Sequence, residues 1–293
     1  MTRAEALADA HRQLADAAIP PTEARTEAIL LLRHTTNLSR EELLLRPDVP
    51  LIETESQRFG AAIARRANRE PLAYITGTRD FYGLPFSVTS DVLIPRPETE
   101  GVVESALNLI SSPPAPDSGD TVNILDLCTG SGCIAVAVAI HAPDAHITAT
   151  DISPSALTVA CSNAERHGVA DRVRFLQGDL FAPLPSGIQF AVIASNPPYI
   201  APNEIERLEP EVRDFEPRIA LGVHADALHF YRRIATESPA YLVENGRVVV
   251  EVGLGQGEAV GELFRHAGFA EVSILPDLAG IPRIVIATGY RRT

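Results

Sequence analysis

Asn196-Pro197-Pro198-Tyr199 sets one side-chain amide and one aromatic ring beside two residues that carry no N–H. The tetrapeptide follows Phe190-Ala191-Val192-Ile193-Ala194-Ser195, an apolar run that reads as a buried strand. It therefore stands where a strand ends. Neither proline can continue a sheet ladder, and Asn196, which precedes a proline, is pushed to extended geometry. The product is a stiff corner with exposed main-chain carbonyls next to the Asn196 amide and the Tyr199 ring. Acceptors beside a flat ring suit a planar –NH2 group, such as an amide or an exocyclic amine. On these four residues alone a strand-ending turn fits as well, because Asn-Pro is a common turn signal.

A second constellation lies upstream. Ile124-Leu125-Asp126-Leu127-Cys128-Thr129-Gly130-Ser131-Gly132-Cys133 reads as a strand, a tight loop of small residues and a helix start. Glycines let a backbone approach a ligand closely. Roughly 20 residues on, Thr148-Ala149-Thr150-Asp151 ends the next strand with a carboxylate placed to accept both hydroxyls of a ribose. The spacing departs from a dinucleotide fingerprint, since Cys128 stands where a first glycine is usual. With no pyrophosphate to cradle, such a loop suits an adenosyl ligand better than a dinucleotide. A third strand ends at Gln177-Gly178-Asp179-Leu180. Asp179 there can accept from an adenine amino group while apolar neighbours pack on the base; the plainer role is a turn cap.

Composition narrows the field. The chain has 293 residues, a net charge of −13 and 45% hydrophobic residues. That is a normal globular balance, and the acidity argues against a protein that lives on free nucleic acid. All 25 basic residues are Arg, which reads as coding bias. Cys128, Cys133 and Cys161 have neither a disulfide framework nor zinc spacing, and the eight histidines form no H-x-H or H-E-x-x-H pattern, so no metal is expected. The start is not a signal peptide and no apolar run is long enough to span a membrane. The chain reads as cytoplasmic.

The elements that must hold these residues follow from periodicity. Up to about Asn68 the chain reads as helices, with capping boxes at Thr2–Glu5 and Ser39–Glu42 and apolar faces including Leu7, Leu14, Ile19, Leu43 and Leu45. Leu72–Gly77 and Phe81–Val88 read as short strands of a hairpin joining two domains. A helix is expected from Pro97, and a flexible connection over Ser111–Asp120. From Val122, strands expected at Val122–Leu127, His146–Thr150, Val173–Gln177, Phe190–Ala194, Arg247–Val252, Val272–Leu275 and Arg283–Thr288 alternate with helices. This is the pattern of a mostly parallel sheet covered on both faces, whose ligands bind beyond the carboxyl ends of the strands.

Taken together, these motifs resemble the PrmC/HemK family, the S-adenosylmethionine-dependent N5-glutamine methyltransferases of peptide chain release factors. The resemblance spans nearly the whole chain. It is carried by Leu93-Ile94-Pro95-Arg96-Pro97-Glu98-Thr99-Glu100, the Asp126–Gly132 loop, Asp151, Asn196 to Ile200, Glu216-Pro217-Arg218-Ile219-Ala220-Leu221, Glu251-Val252-Gly253-Leu254-Gly255-Gln256 and Asp277-Leu278-Ala279-Gly280. Asn-Pro-Pro-Tyr is shared with adenine and guanine amino-methyltransferases, whereas the Pro-Arg-Pro-Glu-Thr-Glu segment and the helical start are more selective.

The resemblance implies an α/β protein: a seven-stranded class I methyltransferase (Rossmann-like) domain over 97–293, a helical substrate-binding domain over 1–70 and a β-hairpin linker over 71–96. It implies Cys128, Thr129, Gly130, Ser131, Gly132, Asp151, Asp179, Leu180 and Asn196 as the S-adenosylmethionine site, with S-adenosylhomocysteine as product. It implies Asn196, Pro197, Pro198 and Tyr199 as the glutamine corner. In that corner Asn196 Oδ1 and the Pro197 carbonyl would accept the two amide N–H groups while Tyr199 packs on the amide plane. Arg96, Glu98 and Thr99 either close over the site or merely shape a helix entry. Glu216 and Arg218 either shape the substrate loop or form a structural pair, and Glu251 reads as structural. Arg65, Arg66 and Arg69, near the domain junction, are a candidate contact patch for a release factor or, for any one of them, a solvated helix face. No stable nucleic-acid partner and no membrane are expected. A nucleic-acid amino-methyltransferase is the main alternative, but it would carry a target-recognition domain or a basic, aromatic surface. A catalytically silent scaffold is the other, and the intact Asp151 and Asn196 motifs argue against it.

Overall fold

The computed structural model describes residues 1–111 and 122–290. They divide into two compact units. One is Met1–Thr78 together with Glu209–Phe215; the other is Arg79–Leu208 with the chain from Glu216 onward.

The first unit is helical: Arg3–Asp16, Pro21–Thr36, Arg40–Leu45, Glu53–Ala67 and Leu72–Thr76. Both expected capping boxes form. Thr2 Oγ1 accepts the Glu5 N–H at 3.2 Å while the Glu5 carboxylate accepts the Thr2 N–H at 2.8 Å. Ser39 and Glu42 do the same at 3.1 and 2.8 Å. Ala6, Ala10 and Leu14 on one helix, Ala24, Ala28, Leu31 and Leu32 on the next, and Phe59, Ala62 and Ile63 on the fourth recur at helical spacing and share one core. Leu45, expected on an apolar face, is exposed.

Leu72–Gly77 is not a strand. Pro71 caps a short helix that buries Tyr74 and Ile75, and Gly77 ends it at φ +74°. A left-handed glycine after the last turn is a helix stop, and it outweighs the β-branched content. The connection expected over Ser111–Asp120 lies outside the described residues, except for Ser111, which closes the helix Glu100–Ser111.

Glu209–Phe215 was expected within 97–293, yet it joins the helical unit. Arg66, only 4% exposed, donates to Glu27 at 2.8 Å and to Glu211 at 2.8 Å, and Arg69 donates to Glu211 at 2.7 Å. Arg65 is paired with Glu70. Arg66 and Arg69 are therefore committed to internal ion pairs, while Arg65 stays exposed beside Glu70. Sequence spacing could not reveal partners so distant along the chain.

The second unit opens with a hairpin, β1 (Thr78–Phe81) and β2 (Leu84–Ser87). Tyr82 and Gly83 turn it at φ +51° and +72°, the backbone of a primed two-residue turn. The seven-stranded sheet consists of β3 (Val122–Leu127), β4 (Ala145–Asp151), β5 (Val173–Gln177), β6 (Phe190–Ser195), β7 (Leu242–Glu251), β8 (Glu271–Pro276) and β9 (Pro282–Thr288). Their order is β5-β4-β3-β6-β7-β9-β8, with β9 antiparallel to both of its neighbours. The chain runs outward from β3 to β5, then returns to β6 on the other side of β3. The topological switch therefore lies between β3 and β6.

Alternation along the strands splits the core. Ile124, Val192, Ala194 and Val249 face one cluster; Leu125, Leu127, Phe190, Ile193, Val248 and Val250 face the other. Both faces are covered, which is why these strands read as nearly continuous apolar runs. Register sets Leu127 opposite both Thr150 and Ser195, so β3, β4 and β6 end level.

Candidate active site

Beyond those level ends the backbone must turn at once. Cys128, Gly130 and Gly132 take φ of +59°, +54° and +78°. Gly132 also lacks room, since an added Cβ would lie 3.0 Å from the Ala160 Cβ. Cys128 adopts the left-handed backbone that glycine would relax, and the pKa of its half-buried thiol is raised by desolvation and by Asp151. The loop is pinned from several sides. Thr129 N–H donates to the Thr150 carbonyl at 3.0 Å. Asn163 Nδ2 donates to the Ser131 carbonyl at 2.9 Å and to the Ser87 carbonyl at 3.0 Å, tying the loop to the hairpin.

Asp126 anchors the loop from beneath. Its Oδ2 accepts Thr129 Oγ1–H at 2.5 Å and the Ala135 N–H at 3.2 Å. Burial pushes its carboxyl up to about 7, opposed by those two donors and reinforced by Asp151. Motif spacing alone assigns Asp126 no role. The signal was one carboxylate inside an apolar strand, which demands a buried partner.

Asp151 borders the cleft at the end of β4. Its Oδ2 accepts the Gly130 N–H and its Oδ1 the Ser153 N–H, both at 2.9 Å. Each oxygen keeps a further lone pair. Desolvation raises its pKa. The same cleft is lined by Cys128, Gly130, Gly178, Asp179, Leu180, Asn196 and Pro198. Thr129, Ser131, Gly132, Pro197 and Tyr199 lie outside its lining. Asp179 is not a turn cap through its side chain; Arg233 Nη1 donates to its Oδ2 at 2.7 Å. Ile152, Ile219 and Val223 also line the cleft and are 50, 44 and 51% exposed. Large apolar side chains this exposed, gathered on one cleft, are surface set aside for a ligand. Thr150, also on the cleft lining, has an Oγ1 with no protein partner, as do the buried Asp126 Oδ1 and Ser131 Oγ at the loop. An apolar rim, the Asp151 carboxylate at the cleft edge and unpartnered polar atoms at the loop are chemically suited to a nucleoside carrying an amino-acid tail.

The Asn-Pro-Pro-Tyr corner follows β6 directly. Ser195 Oγ donates to the Leu127 carbonyl at 2.8 Å, locking the end of β6 to β3. Asn196 Nδ2 donates to Thr99 Oγ1 at 3.0 Å, and Thr99 Oγ1 donates to Glu251 Oε2 at 2.6 Å. Tyr199 OH donates to Glu251 Oε1 at 3.2 Å, and Gln256 Nε2 donates to the Tyr199 carbonyl at 3.0 Å. Burial pushes the Glu251 carboxyl up to about 7 despite its two hydroxyl donors. Thr99, expected either to close over the site or to shape a helix entry, and Glu251, expected to be structural, thus hold the corner. Glu216 does not pair with Arg218. It accepts from Arg96 Nη2 at 2.5 Å and from the Ile94 N–H at 3.3 Å, while Arg218 donates to Glu206. The Ile-Pro-Arg-Pro-Glu-Thr segment is in this way fastened at Ile94, Arg96 and Thr99. Among the described residues, no group of three or more His, Cys, Asp or Glu could hold a metal ion, and no helix is long and apolar enough to cross a membrane.

A seven-stranded sheet with one antiparallel strand, a small-residue loop after its central strand and a carboxylate ending the next define the class I methyltransferase fold. The PrmC N-terminal domain model matches residues 5–77, and the methyltransferase small domain model matches 107–208. The chain is 46% identical to a release factor glutamine methyltransferase of Cereibacter sphaeroides, over 98% of both chains. It is 45% identical to that of Geobacter sulfurreducens, over 89% of this chain and 88% of the relative. Its fold is also that of the hMettl16 catalytic domain solved with an RNA hairpin, at a TM-score of 0.57 and 15% identity, covering 90% of this chain and 91% of that one. The chain belongs to the release factor glutamine methyltransferase family.

Proposed function

We propose that this protein moves a methyl group from S-adenosylmethionine to the side-chain amide nitrogen of a glutamine in a peptide chain release factor, in the cytoplasm where translation ends. One observation carries the reading. Asn196 borders the cofactor cleft with its Nδ2 already spent on Thr99, which leaves Oδ1 as an acceptor for an incoming N–H.

The cleft residues fit the cofactor: Asp151 would receive the ribose hydroxyls, Leu180, Ile152 and Phe230 would flank the base, and Asp179 Oδ1 would receive its amino group. S-adenosylmethionine, when bound, supplies an electrophilic methyl group on a positive sulfonium. The amide nitrogen is a weak nucleophile because its lone pair is delocalised into the carbonyl. Asn196 Oδ1 and the Pro197 carbonyl, each accepting one of its N–H bonds, would aim that lone pair and favour a pyramidal nitrogen. Tyr199, its hydroxyl fixed on Glu251, would pack against the amide plane. Alignment of this kind contributes several kcal/mol, up to about 7–11 in favourable cases. The nitrogen gains the methyl group and then gives up a proton to water, so no general base is needed beforehand.

The helical unit carries no reactive constellation, and we assign to it the grip on the body of the release factor. Binding energy spent far from the reacting atoms can orient them. Hydrogen exchange with and without the factor tests this: protection should appear in residues 1–78. The activity itself is tested by incubation with labelled S-adenosylmethionine and purified release factor, DNA or ribosomal RNA. Label on a glutamine of the factor alone is expected; label on nucleic acid alone would overturn the reading.

A further inference from the structure

We propose that Thr99 and Glu251 are positioning residues that fix which end of the Asn196 amide faces the substrate, and so restrict the corner to hydrogen-bond donors. This rests on the reading that Asn196 receives a substrate amide.

The argument is one of proton counting. A hydroxyl has one proton to give. Thr99 Oγ1 lies 2.6 Å from Glu251 Oε2 and 3.0 Å from Asn196 Nδ2. If the Thr99 proton goes to Glu251, only a donor can satisfy Thr99 on its other side, and the amide must turn Nδ2 inward and Oδ1 outward. If the proton goes to Asn196, the amide must turn over and present its –NH2 to the cleft. Two –NH2 groups face to face cannot bond. The carboxylate decides between these states, because an ionised carboxylate only accepts. Its second oxygen is occupied in the same sense by Tyr199 OH at 3.2 Å.

Glu251 is held for this task. It is 1% exposed, and Tyr231 OH donates to its backbone carbonyl at 2.9 Å. Thr99 is 2% exposed, so no solvent competes for its hydroxyl. The groups facing Glu251 come from every side. Arg283 on β9 favours its ionised form; burial and Glu98 on the Pro97–Thr99 turn oppose it; Tyr199, Tyr231 and Cys133 contribute neutral groups whose own ionisation burial suppresses. When Glu251 takes up a proton it must donate to one of the two hydroxyl oxygens. Donation to Thr99 reverses the relay and turns the Asn196 acceptor away from substrate. The orientation is therefore lost on the acid side of the Glu251 titration, which burial moves to about 7.

The test compares wild type with Thr99→Val, Thr99→Ser and Glu251→Gln. Single-turnover transfer to a release factor is measured at saturating cofactor, with calorimetry of S-adenosylmethionine binding. The side-chain NH2 resonances of Asn196 are followed in 15N-labelled protein and assigned by their loss in Asn196→Ala. Thr99→Val should slow transfer by about 10²-fold, the scale of a misplaced reacting group, with cofactor affinity nearly unchanged. Thr99→Ser should recover most of the rate. In wild type the acid limb of the rate and the Asn196 NH2 shift should titrate together, and Glu251→Gln should abolish both titrations. A wild-type rate in Thr99→Val with undisturbed Asn196 resonances overturns the proposal, as does a serine variant as slow as the valine one, which would indicate packing alone. If wild type transfers nothing to glutamine, the functional reading fails, while the resonances still decide on the relay.

Discussion

Gly222 presses its backbone against Ile200 so closely that a Cβ on Gly222 would fall 1.9 Å from the Ile200 carbonyl oxygen. Ile200 N–H in turn donates to the Leu221 carbonyl at 3.0 Å. The residue after the Asn-Pro-Pro-Tyr corner is thus stitched to the segment that Gly222 ends. The glycine φ of 162° is ordinary extended backbone, so the requirement is for space. Gly222→Ala should displace Ile200 and its neighbour Tyr199, at a cost of about 1–3 kcal/mol, with transfer slowed at least about tenfold. An unchanged melting temperature and rate would show that the corner tolerates the movement.

Asp151→Ala should weaken S-adenosylmethionine binding by about 1.5–3 kcal/mol, the worth of hydrogen bonds to a charged acceptor. The loop loosens as well, because Gly130 N–H and Ser153 N–H lose their acceptor. Calorimetry that returns an unchanged dissociation constant would remove Asp151 from the ribose site.

Arg66→Ala should destabilise the helical unit strongly. It leaves Glu27 and Glu211 facing each other without their shared cation. Removing one partner of a buried pair costs about 3–5 kcal/mol, with the lower figure apt here because both carboxylates keep some solvent contact. Thermal unfolding would show the loss. Arg66→Ala with wild-type stability would return Arg66 to the role of a surface contact.

How much of this was legible beforehand can be read from particular residues. The central strands β3, β4 and β6 announced themselves because they are largely buried on both faces. The small-residue loop and Asp151 meet at one cleft, a juxtaposition that local spacing alone defines. Thr99, Glu251 and Gln256 were quoted as motif residues but not placed on the corner, because they meet Asn196 and Tyr199 only through sheet order. Arg66 failed for the same reason: a cluster of arginines looks like a surface until Glu211 arrives from far along the chain. Leu72–Gly77 failed on chemistry, since β-branched content was weighed above a Pro start and a Gly stop.

Asp126 and Glu251 both titrate near about 7 in the fold, raised chiefly by burial from ordinary values of 3.8 and 4.5. Raised folded values mean that the native state holds these protons longer than the unfolded chain. Their stabilising contribution is complete below about pH 4 and is lost as pH rises through about 7. Unfolding free energy should therefore fall between pH 6 and 8.5, by on the order of 1 kcal/mol for each group. Asp126→Asn should lessen the fall. Urea melts that show stability rising over this interval would contradict the assignment.

The central claim is that the Asn196 acceptor aligns the reacting nitrogen, and single-turnover methyl transfer by Asn196→Ala tests it most directly. The variant should bind S-adenosylmethionine within a few-fold of wild type, yet transfer methyl to the release factor about 10²–10³ times more slowly, the usual scale for removing one preorganised polar group. Transfer at a near-wild-type rate by a folded, cofactor-loaded Asn196→Ala protein would contradict the account.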